Sequence, residues 1–198
     1  MSDLKKDKLD LDKCLEEAKE FHGDACGGIQ MGTRMAISGM RAIGILDPKG
    51  EDRKDLMVFV EIDRCPTDAI IAVTGCHPGK RTMKILDHGK MAATFINLKT
   101  NKAVRVSANN RQGDEIKTRE MIENQPISDD FATLQDKELF TVTEVTVHLN
   151  PEDMPGRPVR SVPCASCGER VLDVKDVEIK GKYYCKPCAE DKNYYTIL

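Results

Sequence analysis

The sequence predicts an α+β fold: N-terminal helices packed on a mainly antiparallel sheet, with a small C-terminal module of zinc-ribbon or treble-clef type. Three observations carry this prediction. Apolar residues recur at helical spacing through residues 9–45, interrupted once by a glycine-rich loop. Short apolar runs separated by Asp, Asn, Gly and Lys turns fill residues 82–106. Two Cys-x-x-Cys pairs then follow a stretch with four prolines. The implied organisation is an α+β domain over 1–150, a proline-rich linker over 151–163 and a four-cysteine module over 164–198.

Residues 1–8 are polar and expected to fray. In the next segment Leu11, Cys14, Leu15, Ala18 and Phe21 mark one face of an amphipathic helix over 9–20, with Cys14 as a small buried hydrophobe. The run His22-Gly23-Asp24-Ala25-Cys26-Gly27-Gly28 is too rich in glycine for a helix interior. A second helix over 29–45 carries Met31, Met35 and Met40 as core residues and ends before the turn Asp47-Pro48-Lys49-Gly50. Residues 56–62 are apolar on both faces, which places that strand inside a sheet. It delivers Cys65-Pro66, and proline favours the first turn of a helix, here one running to Thr74.

Strands over 82–86, 92–98 and 103–106, joined by turns at 87–90 and 99–102, have the signature of an antiparallel meander. Residues 109–138 are polar with helical character, for instance at 115–124, and 139–149 read as a strand.

Composition excludes several function classes. Thirty basic and 33 acidic residues are scattered, giving a net charge of −3, so no basic block tracks phosphates and nucleic acid is not expected as a partner. Aromatics make up 5% with no Trp, which argues against base-stacking platforms. No apolar run reaches membrane-spanning length, and the charged N-terminus lacks a signal-peptide core; the expected location is the cytoplasm. In that compartment eight cysteines read as metal ligands or redox groups rather than disulfides.

The strongest chemical signal is Cys164 and Cys167, then seventeen residues, then Cys185 and Cys188. Each pair can offer two sulfurs to one ion, and the hairpin-like stretch between them brings the pairs together. Four thiolates suit a closed, structural zinc site, although a rubredoxin-like iron site uses the same ligands. A module of this size has too little core to fold without metal. Its basic and acidic residues are interleaved, so it is read as a protein-contact element in preference to a nucleic-acid one.

The second constellation is His22, Cys26, Cys65, Cys76 and His77. Cys26 falls at a helix N-terminus, where free N–H groups and the helix dipole favour a thiolate. Three of the four cysteines outside the C-terminal module lie in loops or at element ends, where chemistry is placed more often than packing. If His22, Cys26 and Cys65 meet, three protein ligands leave a fourth position for water or substrate, the pattern of a catalytic zinc or other transition metal. Two facing thiols without metal would form a redox pair, and Cys with His would form a nucleophile pair.

Four motifs in order, FHGDACGG, DRCPTDAI, TGCHPGK and DHGKMAATF, resemble the FmdE family, whose name comes from a component of molybdenum/tungsten formylmethanofuran dehydrogenase. The resemblance covers most of residues 9–150, and an appended four-cysteine module is common in the family. It implies an α+β domain whose His, Cys and acidic positions line an active-site cleft, often metal-occupied, and a tendency to form homodimers. His22 and Cys26 match the family's HGxxC element, Cys65 and Asp68 its C-x-x-D element, and Cys76, Gly79 and Lys80 its TGC loop. The chain departs from the pattern at Asp24 (usually His), Gly27 (usually Pro) and His77 (usually Thr).

The resulting expectation is a structural zinc on Cys164, Cys167, Cys185 and Cys188 and a cleft site on His22, Cys26 and Cys65. Asp24, Cys76 and His77 are further candidates there, and Lys80 is a handle for an anionic substrate. The rival expectation is a non-catalytic accessory or adaptor component of a molybdenum or tungsten oxidoreductase.

Overall fold

The computed structural model describes residues 6–110, 131 and 133–196. The chain divides into two compact units, Met1–Val147 and His148–Leu198. The predicted helical segment at 115–124 lies outside the described residues.

In the first unit, helix α1 spans Leu11–His22, with the Asp10 side chain accepting the Lys13 N–H at its start. Gly23 ends it in the left-handed conformation, φ 98°, and its N–H bonds the Lys19 carbonyl. Four residues lie between α1 and helix α2, Gly27–Ala42, which begins beside the end of α1. Met31, Met35 and Met40 are buried, as expected of core residues. Of residues 1–8, expected to fray, 1–5 lie outside the described residues, and two of the others are held: Asp7 pairs with Arg41 at 3.0 Å, and the Lys8 ammonium pairs with Asp47 at 2.6 Å while its N–H bonds the Leu46 carbonyl.

Strand β1, Leu56–Val60, leads to helix α3, Cys65–Thr74, and then to strands β2, Met83–Ile85, β3, Ala92–Asn97, and β4, Lys102–Ala108. A one-turn helix α4, Asp136–Leu139, precedes strand β5, Phe140–Glu144. The sheet order is β2-β1-β3-β4-β5, antiparallel except for the parallel pair β1–β2. This differs from a simple meander. β2 pairs with β1 and not with β3, because β1 is apolar throughout and takes a neighbour on each side. β2 is short, and Ile85 beyond its midpoint is exposed, as suits a sheet edge. The predicted strand over 139–149 is regular only to Glu144.

Val58, Phe95 and Val104 are register neighbours and belong to the buried core that includes α2. The spacing of the helices is set by glycines on α2. A Cβ on Gly39 would lie 2.1 Å from the Phe95 ring, and one on Gly32 would lie 2.6 Å from the Pro66 backbone. These are contact distances that no larger residue allows, so α2 sits directly on the sheet and directly against the start of α3.

In the second unit, strand β6, Ser161–Pro163, pairs antiparallel with β7, Arg170–Leu172. Strands β8, Asp176–Ile179, and β9, Lys182–Cys185, form a hairpin that runs into helix α5, Lys186–Glu190. Strand β6 thus falls within residues expected to be linker, and Arg160 there forms an ion pair with Asp176 and lies 4.9 Å from the Tyr183 ring centroid. Among the described residues of this unit, Cys164 is the one buried apolar side chain.

Candidate metal centres

Two groups of metal-ligating side chains form among the described residues: Cys164, Cys167, Cys185 and Cys188, and His22, Cys26 and Cys65. Within each, the donor atoms all lie within 4.8 Å of one another.

The four-cysteine group is built from two local devices. Cys164 and Cys167 sit on the turn between β6 and β7, where Gly168 adopts φ 79° and donates its N–H to the Cys164 carbonyl. Cys185 is the N-cap of α5 and Cys188 lies in its first turn. Turn, hairpin and helix start, in that order, follow the treble-clef arrangement. The Cys167 and Cys185 sulfurs are 4.0 Å apart, close to the edge of about 3.8 Å for a tetrahedron of thiolates at zinc's usual bond length of about 2.3 Å. The N–H groups of Cys167 and Cys185 turn toward the Cys164 sulfur and hold its pKa down at about 6, against the effect of burial. Cys167 is pushed up to about 12: the Glu169 N–H lowers it, but burial and the three neighbouring thiols outweigh that. Four thiols packed this closely share protons until a cation replaces them. The donor set fits a metal.

The second group lies where three helix ends converge. His22 is the last residue of α1, Cys26 is the N-cap of α2, and Cys65 is the first residue of α3. Cys26 makes no side-chain capping bond, so its sulfur is left to the cluster. Thr67 fixes the start of α3 by donating its hydroxyl to the Ile62 carbonyl, 2.5 Å, and its N–H to the Arg64 carbonyl.

Gly28 allows the close approach, since a Cβ there would lie 2.9 Å from the Cys65 Cβ and 3.5 Å from the Cys26 sulfur. Arg34 of α2 binds Asp136 and the carbonyls of Phe131 and Leu134, and the Phe131 ring covers Gly27 beside Cys26. The group's three side chains are each half-buried, neither sealed in the core nor free in solvent.

Asp68, one turn after Cys65, places its carboxylate 2.8 Å from His22 Nδ1. That contact puts the Nδ1 proton toward Asp68 and leaves Nε2 as the donor for a metal, the usual carboxylate–histidine–metal order. Nε2 faces the exposed carboxylate of Asp24 at 3.7 Å. Burial, the Cys26 thiol and, more weakly, the charge of Asp68 push the Cys65 thiol above its ordinary pKa. Two thiols and an imidazole with a carboxylate behind the ring are a donor set that fits a transition metal.

The other sequence candidates lie elsewhere. Cys76 is buried with its sulfur 3.7 Å from the Leu56 carbonyl, and burial raises its pKa. His77 lines a separate pocket with Lys80. Asp68, singled out in the sequence only through the C-x-x-D resemblance, shows its partner His22 once α3 packs on α1, and Gly28 shows its role as the spacer once α3 packs on α2. A sequence signal exists for each: Asp68 stands three residues after Cys65, and Gly28 and Gly32 are one turn apart.

The first unit is therefore an α+β domain with a Cys/His centre at converging helix ends. Residues 21–146 match the family described as "FmdE, Molybdenum formylmethanofuran dehydrogenase operon". The chain belongs to the FmdE family. A solved FmdE-like protein from Syntrophus aciditrophicus, of the tungsten formylmethanofuran dehydrogenase type, shares the fold. The TM-score is 0.56 over 93% of this chain and 95% of that one, at 19% identity. A probable S-adenosyl-L-methionine-binding protein from Archaeoglobus fulgidus is 37% identical over 100 residues. That match covers 50% of this chain and 27% of that relative's length. No helix among the described residues is long and apolar enough to cross a membrane.

Proposed function

We propose that this chain is a two-metal protein: a structural zinc on Cys164, Cys167, Cys185 and Cys188, and a reactive zinc or other transition metal on His22, Cys26 and Cys65. The observation that carries the reading is the meeting of one imidazole and two thiols, drawn from three helix ends, within 4.8 Å. Three protein ligands leave a position open, whereas four close the C-terminal site. A metal so held supplies Lewis acidity to a bound water or substrate oxygen.

The protein's own residues prepare that chemistry. Asp68 fixes the ring and tautomer of His22. Gly28 sets the spacing of the thiols. Asp24, at the exposed side of His22, is placed to accept a proton at Oδ1. The half-buried setting limits water without blocking access.

Metal content per chain tests the reading. Full-length protein is expected to hold about two metals, and Cys26→Ala or Cys65→Ala about one, with the remaining metal lost only from Cys185→Ala. One metal in the full-length chain, unaffected by Cys26→Ala, would overturn the cleft centre.

The family's association with a formylmethanofuran dehydrogenase operon supports a second reading. Here the chain is an accessory component of a molybdenum or tungsten oxidoreductase, using the zinc module for protein contacts, and forms a homodimer on its own. That reading predicts one metal per chain and co-purification with such an enzyme.

A further inference from the structure

A pocket of about 350 Å³ opens between the end of α1, the turn at Asp47-Pro48-Lys49-Gly50 and the C-terminal half of α3. Its walls divide by chemistry. Phe21, Pro48, Ile71 and Ala72 form an apolar surface, and Phe21 is 52% exposed, an unusual place for a phenyl ring with nothing to cover. Lys49, Arg53 and Lys80 contribute cationic groups to the lining, which also includes His77.

Three acidic groups near this turn are already engaged. Asp47 takes Lys8 at 2.6 Å and the Glu51 N–H, and Asp52 takes the N–H groups of Leu46 and Asp47. Glu17 takes one donor of Lys49 at 2.6 Å. Among the described residues, Arg53 and Lys80 have no acidic partner.

Gly75 ends α3 at φ 69°, and a Cβ there would sit 3.4 Å from Lys49 Cγ. The Lys49 stem therefore lies against the end of α3, and its ammonium pairs with Glu17. Apolar carbon and three cations lining one space of ligand size make up a site suited to an organic anion.

We propose that this pocket binds a small organic anion: its apolar body lies against Phe21, Ile71 and Ala72, and its phosphate or carboxylate is held by Arg53, Lys80 and Lys49. The pocket adjoins the His22 centre along two helices. Phe21 precedes His22 on α1, and Ile71 lies one turn beyond Asp68 on α3. The site stands without a metal in that centre, because no pocket residue is one of its ligands.

The test uses 1-naphthyl phosphate and 1-naphthoate, whose fluorescence is read cleanly in a chain without Trp. Inorganic phosphate and 1-naphthol serve as the two halves. At least one of the naphthyl anions is expected to bind about tenfold or more tightly than either half, and more weakly as salt rises. The double variant Arg53→Ala/Lys80→Ala changes exposed side chains and is expected to weaken binding at least about tenfold. Ala72→Phe, which fills the apolar wall, is expected to do the same without altering the charge. Metal content is measured in each variant and is expected to stay constant. Neither anion outbinding its halves, or binding unchanged in both variants, would overturn the proposal.

Discussion

His22 Nδ1 and Asp68 Oδ2 stand 2.8 Å apart although 46 residues separate them in the chain. The bond ties the C-terminus of α1 to the first turns of α3 and decides which ring nitrogen is left for a metal. Asp68→Asn keeps the shape and removes the negative charge behind the ring. The expected result is a fall of about 10- to 100-fold in metal affinity at the His22 centre, with the four-cysteine metal unaffected. Competition with a chromogenic chelator separates the two. An unchanged affinity would mean that Asp68 merely links the helices.

Gly32 positions the same centre from a full turn away. A Cβ at Gly32 would lie 2.6 Å from the Pro66 Cα and 2.7 Å from its carbonyl oxygen, backbone atoms that cannot rotate aside. Gly32→Ala gains about 1 kcal/mol in helix propensity but forces α3 away from α2 at a cost of about 1–3 kcal/mol. The displaced element carries Cys65 at its start, so the His22 centre is expected to lose metal before the protein loses its fold. Gly79→Ala, with no atom within 4 Å of the new methyl, is the control. Equal metal retention in both variants would show that helix spacing does not set the site.

These two relationships also mark where sequence reading ends. Helices α1, α2 and α3 are legible because periodicity and punctuation are local, down to Gly23 and Pro66 at their boundaries. The meeting of His22 with Cys26 and Cys65 is readable only as a condition, since Cys65 arrives from across β1. The turn at 87–90 has hairpin chemistry, yet the partner of β2 is chosen by β1, which is apolar on both faces and pairs on both edges. Ser161–Pro163 looks like linker because its proline content is local information, whereas its pairing with Arg170–Leu172 is not. Cys76 shows the reverse case: its loop-like surroundings in sequence suggest chemistry, and its burial against Leu56 puts it in the core.

The second unit is expected to depend on a bound metal more than the first. With one buried apolar side chain among its described residues, it has little hydrophobic driving force of its own. Removing metal with a strong chelator, or making Cys185→Ala, is expected to abolish slow amide exchange in β6 to β9. Exchange in β1, β3 and β4 should be unaffected. Protection that survives in β8 and β9 after metal removal would show that the hairpin and the Arg160–Asp176 pair suffice.

Glu61 gives the first unit a pH dependence whose sign follows from its partner. Arg105 grips both carboxylate oxygens, at 2.6 and 2.8 Å, and this hydrogen bonding holds Glu61 below its ordinary pKa, against the opposing effect of burial. A carboxylate whose pKa is lowered by folding adds stability above its unfolded-state value of about 4.3, and that stability is lost as pH falls through the lower folded value. Glu61→Gln is therefore expected to cost about 1–2 kcal/mol at pH 7, the scale of a charge-assisted bond with one partner part-exposed. The gap to wild type should shrink as pH falls below about 4.3, where the carboxyl of the unfolded chain takes up a proton before that of the folded protein does. Urea unfolding at pH 7, 5 and 3.5 reads it directly. A gap that persists undiminished at pH 3.5 would assign the effect to packing around Glu61 and not to its charge.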